Sequence, residues 1–280
     1  MSKKFLLIFL LGFITCLNAQ LSNREVIDKL IQASEQIKTL KYTMKKWERI
    51  DGKLEYGYLL CKLQRNPLKI YIYNYTPNPG AEVLYFGGNK TALVNPNKFP
   101  YINLNLDIDG SLLRDKQHHN VTSSGFDYMA DLLKNAKKKF ANDIDKSLKL
   151  EGTIKWNNID CYKVVMENPR YEIQTYTMQP NETVLQVAQK LYVSEFKIVE
   201  LNKDIVSDPL SKAPGKTIKV PSDYGKRIVL YIDKKTFLPI VQFVYDEIGL
   251  FEQYEYYELE VNPKFPEKEF TKEFEGYKFK

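Results

Sequence analysis

Histidine is almost absent from this 280-residue chain, occurring only as His118 and His119. Adjacent side chains on an extended segment point to opposite faces, so the pair is not expected to share a metal ion. Cysteine is scarce too: there are three, and Cys16 lies within the first twenty residues. No local spacing of cysteine with histidine marks a zinc site or an activated thiol. Gly-rich phosphate loops are missing, and Ser123 and Ser124 sit in no nucleophile motif. Beyond residue 20 no apolar run is long enough to span a bilayer. These gaps leave no catalytic residues, metal or cofactor to assign, and the expectation is a non-enzymatic protein. The formal net charge of +6 is modest and spread along the chain, which argues against a nucleic-acid partner.

The N-terminus, "MSKKFLLIFLLGFITCLNAQ", has the form of a signal peptide over residues 1–19. Lys3 and Lys4 are its positive region, Phe5 to Ile14 its apolar run, and Ala19 the small residue at the cut. Phe13, Ile14 and Thr15 ahead of Cys16 make a poor lipobox, so an exported protein without a lipid anchor is expected, periplasmic or associated with the outer envelope. Export leaves Cys61 and Cys161. They are candidates for one disulfide, and two buried thiols on strands is the alternative.

Twenty tyrosines and repeated alternation point to sheet. The segment "LSNREVIDKLIQASEQIKTL" predicts a helix over 21–40, with Ser22 and Glu25 as a capping box. Asp51-Gly52 is the strongest hairpin signal. In "KIYIYNY", Ile70 and Ile72 share one face and Tyr71, Tyr73 and Tyr75 the other. "YINLNLDID" alternates in the same way. A second helix is predicted over 124–140, and Asn157-Asn158 marks another turn. The parity of apolar residues changes between Tyr254 and Tyr257, predicting a bulge there. The short turns make the sheet antiparallel.

The stretch "YTMQPNETVLQVAQKLYVSEFKIVELN" (176–202) departs from this pattern. Thr183 and Gln186 form a capping box, Ser194 is a candidate cap for a second helix, and Asn202 a candidate left-handed stop. With "GKTIKVP" downstream the unit reads strand–helix–helix–strand. Tyr176, Met178, Thr183, Val187, Ala188, Val193, Ser194, Ile198, Leu201, Asn202, Gly215, Ile218, Val220 and Pro221 fall in the order and spacing of a LysM domain, which the unit resembles over 174–222. That resemblance implies binding of peptidoglycan or another N-acetylglucosamine glycan in a groove between two loops. The residues it implies are Pro180, Asn181, Glu182, Thr183 and Val184 on the first loop, and Lys203, Asp204 and Ile205 on the second. Asn181-Glu182-Thr183 stands where the family has Gly-Asp-Thr, and the second loop, Lys203 to Pro214, is longer than usual. These departures favour an alternative in which the unit is a scaffold that binds protein; a LysM-targeted cell-wall enzyme is a third reading, without catalytic residues to support it.

The flanking segments, 20–173 and 223–280, read as one domain interrupted by this insertion. The hairpin "GAEVLYFGGNKTALVNP" and the run "IDKKTFLPIVQFVYDEIGLFEQYEYYELEVNPKFPEKEF" resemble the LolA/LolB-type periplasmic carriers, and more closely a bacterial envelope family of unknown function related to them. The resemblance implies an α+β fold, an incomplete antiparallel β-barrel with covering helices around an apolar concavity, holding a lipid or lipoprotein acyl chain. Tyr71, Tyr73, Met129, Leu132 and Leu133 are the candidates to line it.

Overall fold

Local alternation becomes a single large sheet because nearly every strand follows its predecessor through a short turn. The structure is a computed structural model and describes residues 21–99, 101–141 and 144–279. The predicted signal peptide and Cys16 lie outside the described residues.

Helix α1 (Asn23–Glu35) begins as its capping box predicts: Ser22 accepts from the Glu25 N–H, and the Glu25 carboxylate accepts from Ser22. It ends well before residue 40. The backbone N–H groups of Lys38 and Thr39 donate to Asn262 Oδ1, so the chain enters β1 (Thr39–Ile50) instead of adding a turn. Strand pairing on both sides of β1 outweighs the helical periodicity that Ile37 and Leu40 had suggested. Asp51 and Gly52, with φ of 51° and 77°, turn β1 into β2 (Lys53–Gln64). Then come β3 (Lys69–Thr76), β4 (Glu82–Phe86), β5 (Thr91–Asn95) and β6 (Leu104–Asp107). Helix α2 (Asp127–Lys139) ends in three lysines beside its exposed carbonyls, the sign the helix dipole favours. A short α3 (Ile144–Ser147) leads to β7 (Leu148–Trp156) and β8 (Ile159–Glu167).

The inserted unit comprises β9 (Ile173–Thr177), α4 (Val184–Leu191), α5 (Glu195–Leu201) and β10 (Thr217–Pro221). Its two strands pair with each other, and Met178, Val184, Val187, Ile198 and Ile218 centre a core of its own. Two of its predicted caps differ. Ser194 is buried and makes no side-chain cap bond, and Asn202 has φ −137°, not a left-handed value. The Asn202 side chain instead bonds the Ile198 carbonyl and both backbone groups of Lys219, tying α5 to β10. The left-handed residue is Tyr192, which ends α4.

After the insertion, β11 (Arg227–Asp233) pairs directly with β8, and β12 (Pro239–Tyr245) and β13 (Leu250–Val261) complete the sheet. Its order is β6-β5-β4-β3-β2-β1-β13-β12-β11-β8-β7, antiparallel throughout. The sheet is open; β6 and β7 are its two ends. The bulge in β13 lies at Glu258 (φ 50°), opposite the register shift between Lys41 and Thr43, slightly beyond the predicted break.

One core gathers Leu40, Leu63, Ile70, Val83 and Val94 from the first half of the sheet with Cys161, Leu238 and Ile240 from the second, so the inward face curls. A second core packs α1 and α2 on β7, β8 and β11–β13. Cys61 and Cys161 are free, buried thiols, not a disulfide: they sit on β2 and β8, with four strands between. Burial pushes each thiol up to about 11, which keeps both protonated and inert.

Candidate functional site

Side chains alternate across a strand, and on β1 the inward set is Leu40, Tyr42, Met44, Lys46 and Glu48. From Tyr42 onward these residues line a cavity of ≈ 640 Å³. Leu59, Ile72, Val83, Val94 and Leu106 form its apolar wall, and α2 covers it with Met129 and Leu132. Phe99 and Leu112, 84% and 78% exposed, stand on its lining at the protein surface.

The candidates divide. Met129 and Leu132 line the cavity, whereas Leu133 is buried in the core under α1. Tyr71 and Tyr73 do not reach it. Strand alternation puts them on the outer face, opposite Ile70 and Ile72, where the C-terminal segment covers them. The Tyr277 ring stacks on Tyr71 at 3.7 Å and 6°, and Tyr71 donates to the Glu82 carboxylate at 2.8 Å.

The opposite end of the cavity is polar, and apart from the two histidines its residues are not among the sequence candidates. Glu252, from β13, is 1% exposed. It accepts from His118 Nδ1 at 2.7 Å and from the Tyr224 hydroxyl at 2.9 Å, with His119 Nε2 at 3.6 Å. The other His118 nitrogen faces the Arg49 carbonyl at 2.9 Å. Both ring nitrogens thus meet acceptors, so His118 carries two protons. Burial alone would lower its pKa; the bond to Glu252 outweighs that and raises it. Burial would likewise raise the Glu252 carboxyl, yet the two histidines hold it well below the usual range. The two histidines lie in bends, not on a strand, which is why they converge on one carboxylate. Nearby, Glu48 accepts from Lys46 Nζ and from the Tyr254 hydroxyl, each at 2.7 Å. Among the described residues no group of histidine, cysteine and carboxylates has the arrangement to hold a metal ion.

Behind this end the inserted unit is locked to the large sheet. Lys197 of α5, 2% exposed, donates to Asp246 at 2.8 Å and Glu247 at 2.7 Å. Arg49 binds both oxygens of Asp246 and reaches Glu200 of α5 at 3.3 Å. Arg114 pairs with Glu195 at 2.6 Å, and the Phe196 ring stacks on His118 at 5.0 Å. Burial works to raise the Asp246 carboxyl, but the bonds from Arg49 and Lys197 bring it down to about 2.

The glycan candidates lie at the start of α4 and on the loop between α5 and β10. Pro180, Asn181, Lys203, Asp204 and Ile205 are exposed. Asn181 takes φ 66°, and Lys203 pairs with Asp51 at 2.7 Å. Three others are engaged internally: Glu182 accepts from the Tyr176 hydroxyl and Gln179 N–H, Thr183 caps α4, and Val184 is fully buried. The long second loop folds over the first. The N–H groups of Val184 and Leu185, which open α4, donate to the carbonyls of Ser211 and Pro209 at 3.1 and 2.8 Å. The donors at this helix start are therefore already used by the chain itself.

A family model described as a protein of unknown function, DUF1571, matches residues 37–198, from the start of the sheet into α5. The chain belongs to the DUF1571 family. No curated protein matches it. Among solved structures, this DUF1571 chain is similar to the Pseudomonas aeruginosa MucA/MucB complex at 11% identity and TM-score 0.43, over 89% of this chain and 60% of that one. It is similar to the Mycobacterium tuberculosis lipoprotein LppX at 10% identity and TM-score 0.40, over 87% and 99%. A LolA superfamily protein from Nitrosomonas europaea gives 10% identity and TM-score 0.31, over 90% and 98%. No helix among the described residues is long and apolar enough to cross a membrane.

Proposed function

We propose that this protein is an exported, non-enzymatic envelope protein that holds one acyl chain of a lipid or lipoprotein in its sheet cavity. The observation that carries the reading is the ≈ 640 Å³ cavity with its aliphatic wall on β2–β6. That volume falls within the roughly 300–1,000 Å³ of sites that enclose small ligands. Each buried methylene contributes about 0.8 kcal/mol, enough to hold one chain reversibly. Native mass spectrometry of protein from its source should reveal a co-purifying lipid; a clean apo mass counts against the reading. Ile72→Trp fills the wall. Excluding two or three methylenes should weaken acyl binding by about tenfold or more, read by displacement of a fluorescent probe. Unchanged affinity would place the ligand elsewhere.

For the inserted unit, we infer a fixed structural role ahead of tethering to peptidoglycan. The strand–helix–helix–strand order and the exposed Asn181 loop support glycan binding, but the chain's own carbonyls occupy the start of α4. Purified sacculi should retain wild type no better than a variant with Asn181→Ala and Thr183→Ala. Retention that this variant loses would restore the glycan groove. Zymography on peptidoglycan should show no clearing.

A further inference from the structure

The polar end of the cavity has donor capacity that an acyl chain alone does not use. Lys46 lies on the inward face of β1, opposite Gly57 of β2. A Cβ at Gly57 would stand 2.9 Å from Lys46 Cε, so the glycine makes room for the lysine along the cavity wall. The carboxylates here are saturated: Glu48 by Lys46 and Tyr254, Glu252 by His118 and Tyr224. Charge is balanced as well. The Lys46 ammonium is paired with Glu48 and the doubly donating His118 with Glu252, while His119 Nε2 lies 3.3 Å from the Tyr224 oxygen. An ammonium has three N–H groups. Two are committed, to Glu48 at 2.7 Å and Gln117 at 3.2 Å.

These constraints select a ligand head. An anion would be placed beside two buried carboxylates that already engage the Lys46 and His118 cations. A bare alkane would offer the third N–H no acceptor. We propose that this end is a subsite for a neutral hydrogen-bond acceptor, the ester or amide carbonyl of an acylated molecule, which accepts from Lys46 Nζ. The acyl chain then runs past Leu59, Ile72, Val83 and Val94. Tyr56, Asp115 and Lys116 are exposed on the same lining, so the group beyond the carbonyl leaves toward solvent there. The inference rests on the acyl-binding reading and adds the chemistry of the head.

The test is displacement of the neutral fluorophore N-phenyl-1-naphthylamine from the purified protein by methyl dodecanoate, dodecanoate and dodecane. A hydrogen bond from a charged donor should let the ester displace at about tenfold lower concentration than the other two. The double variant K46M/E48Q removes both members of one pair and strands no buried carboxylate. It should bring the ester to the level of dodecane measured on the same variant. The wild-type series decides the question even if this variant does not fold. Displacement by the anion at or below the ester concentration, equal displacement by all three, or a preference that survives K46M/E48Q overturns the carbonyl subsite and leaves acyl binding standing. Absence of any binding overturns both.

Discussion

Asp246→Ala should cost about 3–5 kcal/mol of folding stability, the range for breaking a buried ion pair by removing one partner. Two cations lose their shared acceptor. Arg49 and Lys197, 7% and 2% exposed, come from β1 and α5, and Asp246 joins them at the turn before β13. Glu200 and Glu247 cannot substitute fully: they are 18% and 33% exposed, and Glu200, though it reaches both cations at 3.3 and 3.6 Å, lies farther from each than Asp246 does. For a chain of this size each kcal/mol moves the melting point by roughly 2–4 °C, so a fall of roughly 6–20 °C is expected. The triple replacement Arg49→Met, Lys197→Met, Asp246→Leu should recover most of it, since it removes the desolvated charges together. A melting point for Asp246→Ala within 2 °C or so of wild type would mean that solvent reaches the network and that the insertion is not held by it.

The same carboxyl sets an acid limit. Its folded pKa of about 2 lies below the ordinary aspartate value of ~3.9. A depressed carboxyl contributes stability above its unfolded pKa and loses it as pH falls through the folded one. The gap in melting point between wild type and Asp246→Ala should therefore narrow as pH drops from about 4 to about 2. Glu48 and Glu252, also lowered, act in the same direction in both proteins.

Features with near neighbours in the chain were legible in the sequence. The Asp51-Gly52 and Asn157-Asn158 turns, and the capping boxes at Ser22 and Thr183, rest on partners within three residues, and each has the predicted geometry. Features that depend on distant partners were not. The end of α1 is set by Asn262, more than two hundred residues away. Asn202 serves β10 rather than its own helix end, and the second loop closes over α4 through carbonyls that no pattern marks. The polar end of the cavity did leave one signal. Along the inward parity of β1, Leu40, Tyr42 and Met44 give way to Lys46 and Glu48. Charged residues on a core-facing parity require partners, and Glu252 and Tyr254 repeat the change on the neighbouring strand. Parity also separates Ile72 from Tyr71 and Tyr73: the same alternation that turns Ile72 into the cavity turns both tyrosines, expected to line it, away from it.

Glu252→Gln should reverse the titration of His118. In wild type, burial works to lower the His118 pKa and Glu252 overrides it. Glutamine keeps an acceptor for Nδ1–H and removes the charge. Burial then dominates, with only Glu48 and the Arg49 carbonyl opposing it, and the pKa should fall below the free-histidine value of ~6.5. Stability should invert with it. A raised histidine contributes fully below its unfolded pKa and loses that contribution as pH rises through the folded one, so wild type should weaken on the alkaline side. A lowered histidine does the opposite, and the variant should gain stability as pH rises from about 5 to about 7. Glu252→Ala goes further: it leaves His118 and Tyr224 without their shared acceptor, at a cost of about 3–5 kcal/mol. Imidazole proton–nitrogen correlation spectra across pH report His118 directly, and melting curves report the rest. If His118 in Glu252→Gln still carries both protons at pH values about 1.5 above that of free histidine, the Arg49 carbonyl and Glu48 hold it charged and Glu252 does not govern this end of the cavity.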